Sequence, residues 1–445
     1  MIFAFEDLKN YKNLYRKKEI TQSGEDRLLT SSYFNEIMMM SVYYSAVYRR
    51  KEDNKFVKYD GKKYPVKFVD CKDLKENEKY FIPIGVGESP YQWMNDHFED
   101  ENKFKNLFKL ISENKKYFKD LQSGNAYLMI DNSTEGWHDN SIFDYLYNGS
   151  SQNFISPNQI IYITGNLNIE NNLKEWCKDN PGKKPIQVIP YAHFEFDIGY
   201  RVYEMTKDES FELPTIKNHL DMKKIMGDGI RLYNFLNKKP RDHRMWMFNA
   251  LRKWNLIDNG IVASNEYEWD ALEIDFNKIP KEEIDECNKL LPLFPYEDLN
   301  KKEFKHYMYN FNTDACVKSW LTVVSETHFE DAQKTLFLSE KTFKAIACQT
   351  PFLILGNRNS LNELRKLGYV TFDGFIDEKY DTLPSIHRIN AIVDEIRNFQ
   401  HNKDKIQHLE WMTPMLRHNL NTLKNNALFK APNKFKKLYK LVNEL

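Results

Sequence analysis

Residues 321–356, LTVVSETHFEDAQKTLFLSEKTFKAIACQTPFLILG, decide how this chain is read. An apolar run from Leu321 to Ser325 leads into an acidic turn. A short helix is predicted to open on Ser339-Glu340-Lys341, and a second apolar run from Pro351 ends at Gly356. Short apolar strands flanking a helix suit a parallel sheet covered on both faces. The Ser339 hydroxyl is placed to accept one of the helix's orphan backbone N–H groups. The remaining N–H groups and the positive dipole end favour an anion such as a diphosphate. Lys341 adds a full positive charge, and Glu340 can accept from ribose hydroxyls. In an α/β arrangement such a helix start faces the carboxyl edge of the sheet, where ligands bind. The competing reading is a solvated helix start with Glu340 paired to Lys344 one turn on.

Upstream, Gly227-Asp228-Gly229 punctuates the chain before the largely apolar run Ile230 to Leu236, read as the first strand of a second α/β domain. Arg241-Asp242-His243-Arg244 then opens a helix whose apolar positions Met245, Phe248 and Leu251 recur at helical spacing. In the first half, strands are predicted at Ala126–Ile130, Gln159–Asn166 and Ile186–Pro190. A helix over Asn171–Asn180, ended by Pro181-Gly182, lies between the last two as a βαβ crossover. The expected organisation is an N-terminal domain over 1–226, a C-terminal domain over 227–423 and a basic C-terminal helix over 424–445. That last segment carries six lysines against one glutamate.

At 445 residues the chain suits two domains. Hydrophobic content of 41%, with 14% aromatic, supplies real cores and argues against disorder. The 64 basic residues balance the 64 acidic ones, which argues against a general nucleic-acid binder without excluding a local basic groove. The five cysteines are scattered without a Cys-x-x-Cys pair, so neither a disulfide scaffold nor a structural zinc site is expected. No stretch approaches the ~18 apolar residues of a membrane helix. The first residues lack a secretory signal's apolar core. A cytoplasmic protein with no membrane partner is the expectation.

The motif resembles the donor-binding signature of fucosyltransferase-like glycosyltransferases, carried here by Ser325-Glu326-Thr327, Ser339-Glu340-Lys341 and Pro351 through Gly356. The last piece is one residue longer than the family pattern, and Thr327 stands where those enzymes commonly carry Asn. The continuation Leu361-Asn362-Glu363-Leu364, Gly368 to Phe372 and Asp377 to Asp381 is similar to a glycosyltransferase group common in bacteriophages. The resemblance lies mostly in the second half of the chain. It implies an α/β protein of GT-B type, with two Rossmann-like domains whose parallel sheets face a central cleft. It also implies a metal-independent, inverting transfer from a UDP- or GDP-type sugar, with no further cofactor.

On that resemblance Lys341, Glu340 and Ser339 are donor contacts. Glu326 takes a donor-side position, and Arg244 or Arg241 contacts the diphosphate. An Arg can form a bidentate fork on phosphate, with a solvated basic helix start as the alternative, and Arg244 is favoured because the apolar helix face follows it directly. A catalytic base is expected from the first domain. Glu135 and Asp131, in the loop DNSTEG after a strand, are the first candidates, and Glu195 with His193 the rivals. Each of these has an ordinary loop residue as its alternative. Similarity to the phage enzymes makes a hydroxymethylated pyrimidine in duplex DNA the expected acceptor of a hexose or pentose. A cell-surface or capsid glycan is the alternative. A non-catalytic nucleic-acid-binding or structural phage protein is a third reading.

Overall fold

The computed structural model describes residues 2–5, 56–59, 62–65, 67–76, 78–85, 107–108, 111–112, 114–133, 136, 141–205, 213–237, 241–264, 281–294, 296, 311–329 and 335–427. The chain is α/β and forms two compact units that divide between His193 and Phe194.

The first unit is built on a parallel sheet. Its strands are β1 (Ile2–Phe5), β4 (Lys67–Asp70), β5 (Tyr80–Gly85), β6 (Ala126–Asn132), β7 (Ile160–Thr164) and β8 (Gln187–Pro190). They lie in the order β4-β1-β5-β6-β7-β8. The hairpin of β2 (Phe56–Tyr59) and β3 (Lys62–Pro65) stands as a separate antiparallel pair. Three helices take the places of crossovers: α1 (Lys115–Ser123) precedes β6, α2 (Ser141–Gln152) joins β6 to β7, and α3 (Ile169–Asp179) joins β7 to β8. Asn114 caps α1 by accepting from the Tyr117 amide at 3.1 Å, and Gly124, at φ +84°, ends it in the left-handed region that glycine adopts without strain. Apolar faces of all three helices close over the strands, with Leu121, Phe143, Leu146, Ile169 and Trp176 buried against Leu128, Ile160 and Tyr162. All five residues of β7 are buried, which is why that strand reads as an unbroken apolar run.

The second unit carries a four-stranded parallel sheet in the order β10-β9-β11-β12. Its strands are β9 (Arg231–Asn237), β10 (Gly260–Ser264), β11 (Ser319–Ser325) and β12 (Phe352–Leu355). The helices are α4 (His193–Met205), α5 (Ile216–Met226), α6 (Asp242–Lys253), α7 (Lys281–Asn288), α8 (Thr313–Val317), α9 (Glu340–Ala347), α10 (Ser360–Leu367), α11 (Ser385–His401) and α12 (Lys405–Asn425). From β9 the chain passes through α6 to β10 on one side, then returns to β11 on the other. The order of strands therefore reverses between β9 and β11, the kind of place where open α/β sheets bind ligands at their carboxyl ends.

The division differs from the expected boundary at 226/227, because α4 and α5 pack against later segments of the second unit. Glu195 of α4 is bonded to Tyr369 and Asn426, and Gly199 approaches the Leu423 carbonyl too closely for a side chain. On α5, His219 Nε2 meets the Cys348 carbonyl at 2.8 Å and Lys223 Nζ donates to the Val317 carbonyl at 3.2 Å. Nor does a boundary fall at 423/424, since α12 runs through those residues to Asn425. Of the expected basic C-terminal helix over 424–445, the part beyond 427 lies outside the described residues.

Candidate functional site

The carboxyl ends of β9 and β11 and the start of α9 make one locality. Ser339 is extended, at φ −88°, and its hydroxyl accepts the Lys341 amide at 3.4 Å, so α9 begins where the capping argument placed it. Glu326, just past β11, is fully buried. Both of its carboxylate oxygens take the Ser339 backbone N–H at 3.1 Å, and the Thr342 hydroxyl donates to the same group. A carboxylate of the chain itself therefore lies against the α9 start, where an anion is favoured. Gly356, after β12, sits beside it: a Cβ there would stand 3.0 Å from Glu326 Cγ.

Glu340 and Lys341 form an ion pair at 3.1 Å. Lys341 Nζ also donates to Ser339 Oγ at 3.2 Å and Thr327 Oγ1 at 3.3 Å. Burial alone would raise the Glu340 carboxyl. The ammonium groups of Lys341 and Lys344 and a backbone N–H outweigh that and hold it below the usual carboxylate range. Lys344, one turn from Glu340, is only 9% exposed. Burial, offset in part by Glu340, brings its ammonium down to about 8.

Arg244 is buried in the first turn of α6. Its Nε donates to Ser325 Oγ at 3.0 Å, and Nη2 donates to the Glu326 carbonyl at 2.9 Å and the Ser325 carbonyl at 3.4 Å. His243 Nε2 meets the same Glu326 carbonyl at 3.1 Å, and its ring stacks on Phe329 with centroids 5.1 Å apart. Arg241 precedes the helix at its N-cap position and is partly exposed. The structure thus gathers Arg244, Glu326, Ser339, Glu340 and Lys341 at the end of β11. Within that group, Glu326 and Arg244 use their polar atoms to join strand end to helix starts.

A cavity of about 60 Å³ lies beside these groups, lined by Asn234 and Leu236 of β9, Thr322 to Ser325 of β11, Phe311, Asn312 and Cys316, and Lys341, Lys344 and Ala345 of α9. That is far below the roughly 300–1,000 Å³ of small-molecule pockets, so it is sized for one charged group. Asn234 interrupts an otherwise apolar strand. Its Nδ2 donates to Ser319 Oγ at 2.8 Å and Thr322 Oγ1 at 2.9 Å, locking β9 to β11 at the cavity wall. A second cavity of about 100 Å³, between Leu321, Leu353, Phe375 and Phe399, contains none of the predicted residues. At the carboxyl end of β9, Asn237 is buried, and among the described residues no hydrogen-bond donor meets its Oδ1. Sequence reasoning missed Asn234 and Asn237, although a polar residue inside an apolar strand is a readable signal in both.

The candidate bases fall differently. Asp131 occupies the carboxyl end of the interior strand β6, in register with Gly85 and Ile163. Glu135 lies outside the described residues. Glu195 is corrected in position: it belongs to α4 of the second unit and is buried, where it accepts from the Tyr369 hydroxyl at 2.9 Å and from Asn426 Nδ2. Those bonds tie three segments of one unit together. Burial, reinforced by the neighbouring Glu195 carboxylate, holds the Tyr369 hydroxyl well above its ordinary range.

Among the described residues, no group of His, Cys, Asp and Glu is gathered to hold a metal ion, and no helix is long and apolar enough to cross a membrane. Comparison with protein-family models, with curated proteins and with solved structures gave no match to this chain.

Proposed function

We propose that this chain is a glycosyltransferase of GT-B type whose second unit holds a nucleoside-diphosphate sugar. One observation carries the reading: a cavity bearing two lysines lies at the strand-order reversal between β9 and β11, beside a helix start that opens on Ser-Glu-Lys. An open α/β sheet binds its ligand there, and a diphosphate is the ligand that two ammonium groups and a capped helix start suit. The small volume receives a phosphate, while nucleoside and sugar extend beyond it.

Transfer needs charge stabilisation on the departing diphosphate and removal of a proton from the acceptor hydroxyl. Lys341 supplies the first, with Glu340 holding its ammonium in place and free to exchange that contact for ribose hydroxyls. The second needs a carboxylate base, for which Glu135 and Asp131 are the candidates. A single displacement by the acceptor oxygen inverts the sugar carbon. Following the similarity to phage enzymes, the acceptor we favour is the hydroxymethyl group of a modified pyrimidine in DNA.

A thermal-shift screen against UDP, GDP, CDP and ADP and their sugar conjugates tests the donor half. Ligand at about 100 times its dissociation constant adds roughly 2.7 kcal/mol of stability, which raises the midpoint visibly. A selective shift supports the reading and leads to transfer assays on hydroxymethylated DNA and on glycans. A flat response to every nucleotide overturns it in favour of a binding or structural role.

A further inference from the structure

We propose that Cys316 and Cys348 form an oxidation site for hydrogen peroxide, in which Cys316 is oxidised first and Cys348 then closes a disulfide that joins α8 to the end of α9. The inference stands apart from the donor reading, because it concerns the chemistry of two sulfurs and not what the cavity binds.

Cys316 lies in α8 and Cys348 directly follows α9, and both are buried free thiols. Their sulfurs converge on one backbone acceptor. Cys348 Sγ lies 3.2 Å from the Phe311 carbonyl oxygen and Cys316 Sγ lies 4.0 Å from it. The two thiols are also within hydrogen-bond reach of each other. Helix α5 holds both backbones in place. His219 Nε2 meets the Cys348 carbonyl at 2.8 Å, and Lys223 Nζ, one turn on, donates to the carbonyl of Val317, next to Cys316, at 3.2 Å. Two side chains of one helix thus keep the segments that carry the thiols side by side, which favours their joining as an intramolecular reaction.

The pair is asymmetric. The Cys348 thiol, the hydroxyls of Thr350 and Thr322 and the Lys223 ammonium favour the Cys316 thiolate, and together they outweigh burial and hold Cys316 below the usual thiol range. Cys348 is held well above that range by its bond with Cys316 and by burial. Burial raises Cys177 and Cys287 as well, Cys287 to about 12. The thiolate is the nucleophilic form, so Cys316 is the sulfur set to react first. It also lines the cavity of about 60 Å³, which has room for a molecule of two oxygen atoms, since one water occupies roughly 30 Å³.

The Cys316 sulfur attacks one peroxide oxygen and the O–O bond breaks. The departing hydroxide takes the proton lost by the Cys316 thiol and leaves as water, so the sulfur is oxidised to a sulfenic acid as the peroxide is reduced. The Cys348 sulfur then attacks the Cys316 sulfur. The S–O bond breaks, the S–S bond forms, and the Cys348 proton leaves with the hydroxyl as a second water.

The test exposes the full-length, folded protein to a stoichiometric amount of hydrogen peroxide, blocks the remaining thiols with N-ethylmaleimide and maps the peptides by mass spectrometry. The expected product is a peptide pair linked through Cys316 and Cys348, with two thiols lost and both restored by dithiothreitol. Cys348→Ser should stop at the sulfenic acid, read as a gain of one oxygen on Cys316. Cys316→Ser should leave Cys348 reduced. Urea unfolding checks that each variant is folded, and the wild-type result stands without them. A wild type in which Cys316 and Cys348 stay reduced, or in which Cys316 pairs with a different cysteine, overturns the inference. Oxidation of Cys348 in folded Cys316→Ser overturns the order of the two steps.

Discussion

The Glu326 carboxylate receives the Ser339 backbone N–H at 3.1 Å through each of its oxygens, bridging the end of β11 to the residue that caps α9. It is the chain's own anion at a helix start proposed to meet another. Its burial and its bond from Thr342 make it a fixed part of the strand–helix connection. The partly accessible Lys341 ammonium, paired to Glu340, is what remains to greet a ligand.

Glu326→Ala should therefore act on stability. Removing the carboxylate leaves the Ser339 N–H and the Thr342 hydroxyl buried without their acceptor, at a cost of about 1–3 kcal/mol for each unsatisfied group. Urea unfolding should show a lowered midpoint. An unchanged midpoint would mean that the connection does not depend on this carboxylate.

Lys341→Ala, by contrast, removes a partly accessible charge that is ion-paired with its neighbour Glu340. The loss of a charge-assisted contact to phosphate should cost about 1.5–3 kcal/mol of nucleotide affinity with little change in unfolding midpoint. Titration of the nucleotide selected by thermal shift checks this, and wild-type affinity in the variant would remove Lys341 from the site.

Gly356→Ala tests a close approach. The added methyl would meet Glu326 Cγ at 3.0 Å, Glu326 Cβ at 3.1 Å and Ile354 Cγ2 at 3.1 Å. Relieving that crowding must push on the Glu326 bridge, so a destabilisation of about 1–3 kcal/mol is expected. Pairing the substitution with Glu326→Ala should give less than the sum of the two effects, because they act on one group. Strict additivity in a double-mutant cycle would show that the two do not communicate.

His219 predicts a pH dependence. Burial, reinforced by Lys223 and only partly opposed by its bond to the Cys348 carbonyl, lowers its imidazole to about 4. The unfolded chain binds a proton near pH 6.5 and the folded one does not, so stability rises with pH across that window. The contribution is fully present above pH 6.5 and is lost as pH falls toward 4, by roughly 3 kcal/mol in all. His219→Gln should flatten the fall in urea midpoint between pH 7 and pH 4.5. An equal fall in both proteins would assign the acid sensitivity elsewhere.

The local signals in the sequence carried far. The apolar runs at 321–325 and 351–355 are strands because both faces of their sheet are covered, and Ser339 starts a helix because its hydroxyl can serve an orphan amide. The strands β6, β7 and β8 and the crossover helix before β8 arise from the same patterning. β10 was not legible: Gly260-Ile261-Val262-Ala263-Ser264 is short and gains its place only by pairing with β9.

What the tertiary structure alone decided is which polar side chains are already engaged. Glu326, Arg244 and Glu195 have the residue types of binding and catalysis, and spacing gives no way to see that each is met by a donor or carbonyl, 13, 82 and 174 positions away respectively. The unit boundary is of the same kind, since α4 and α5 belong with the later sheet through Tyr369, Asn426, Cys348 and Val317. Periodicity and capping act over a few residues, so a sequence determines its own strands and helix starts. Burial and hydrogen bonding join residues that local patterning does not relate, such as Glu195 and Tyr369 or His219 and Cys348, and only the folded chain brings them within reach.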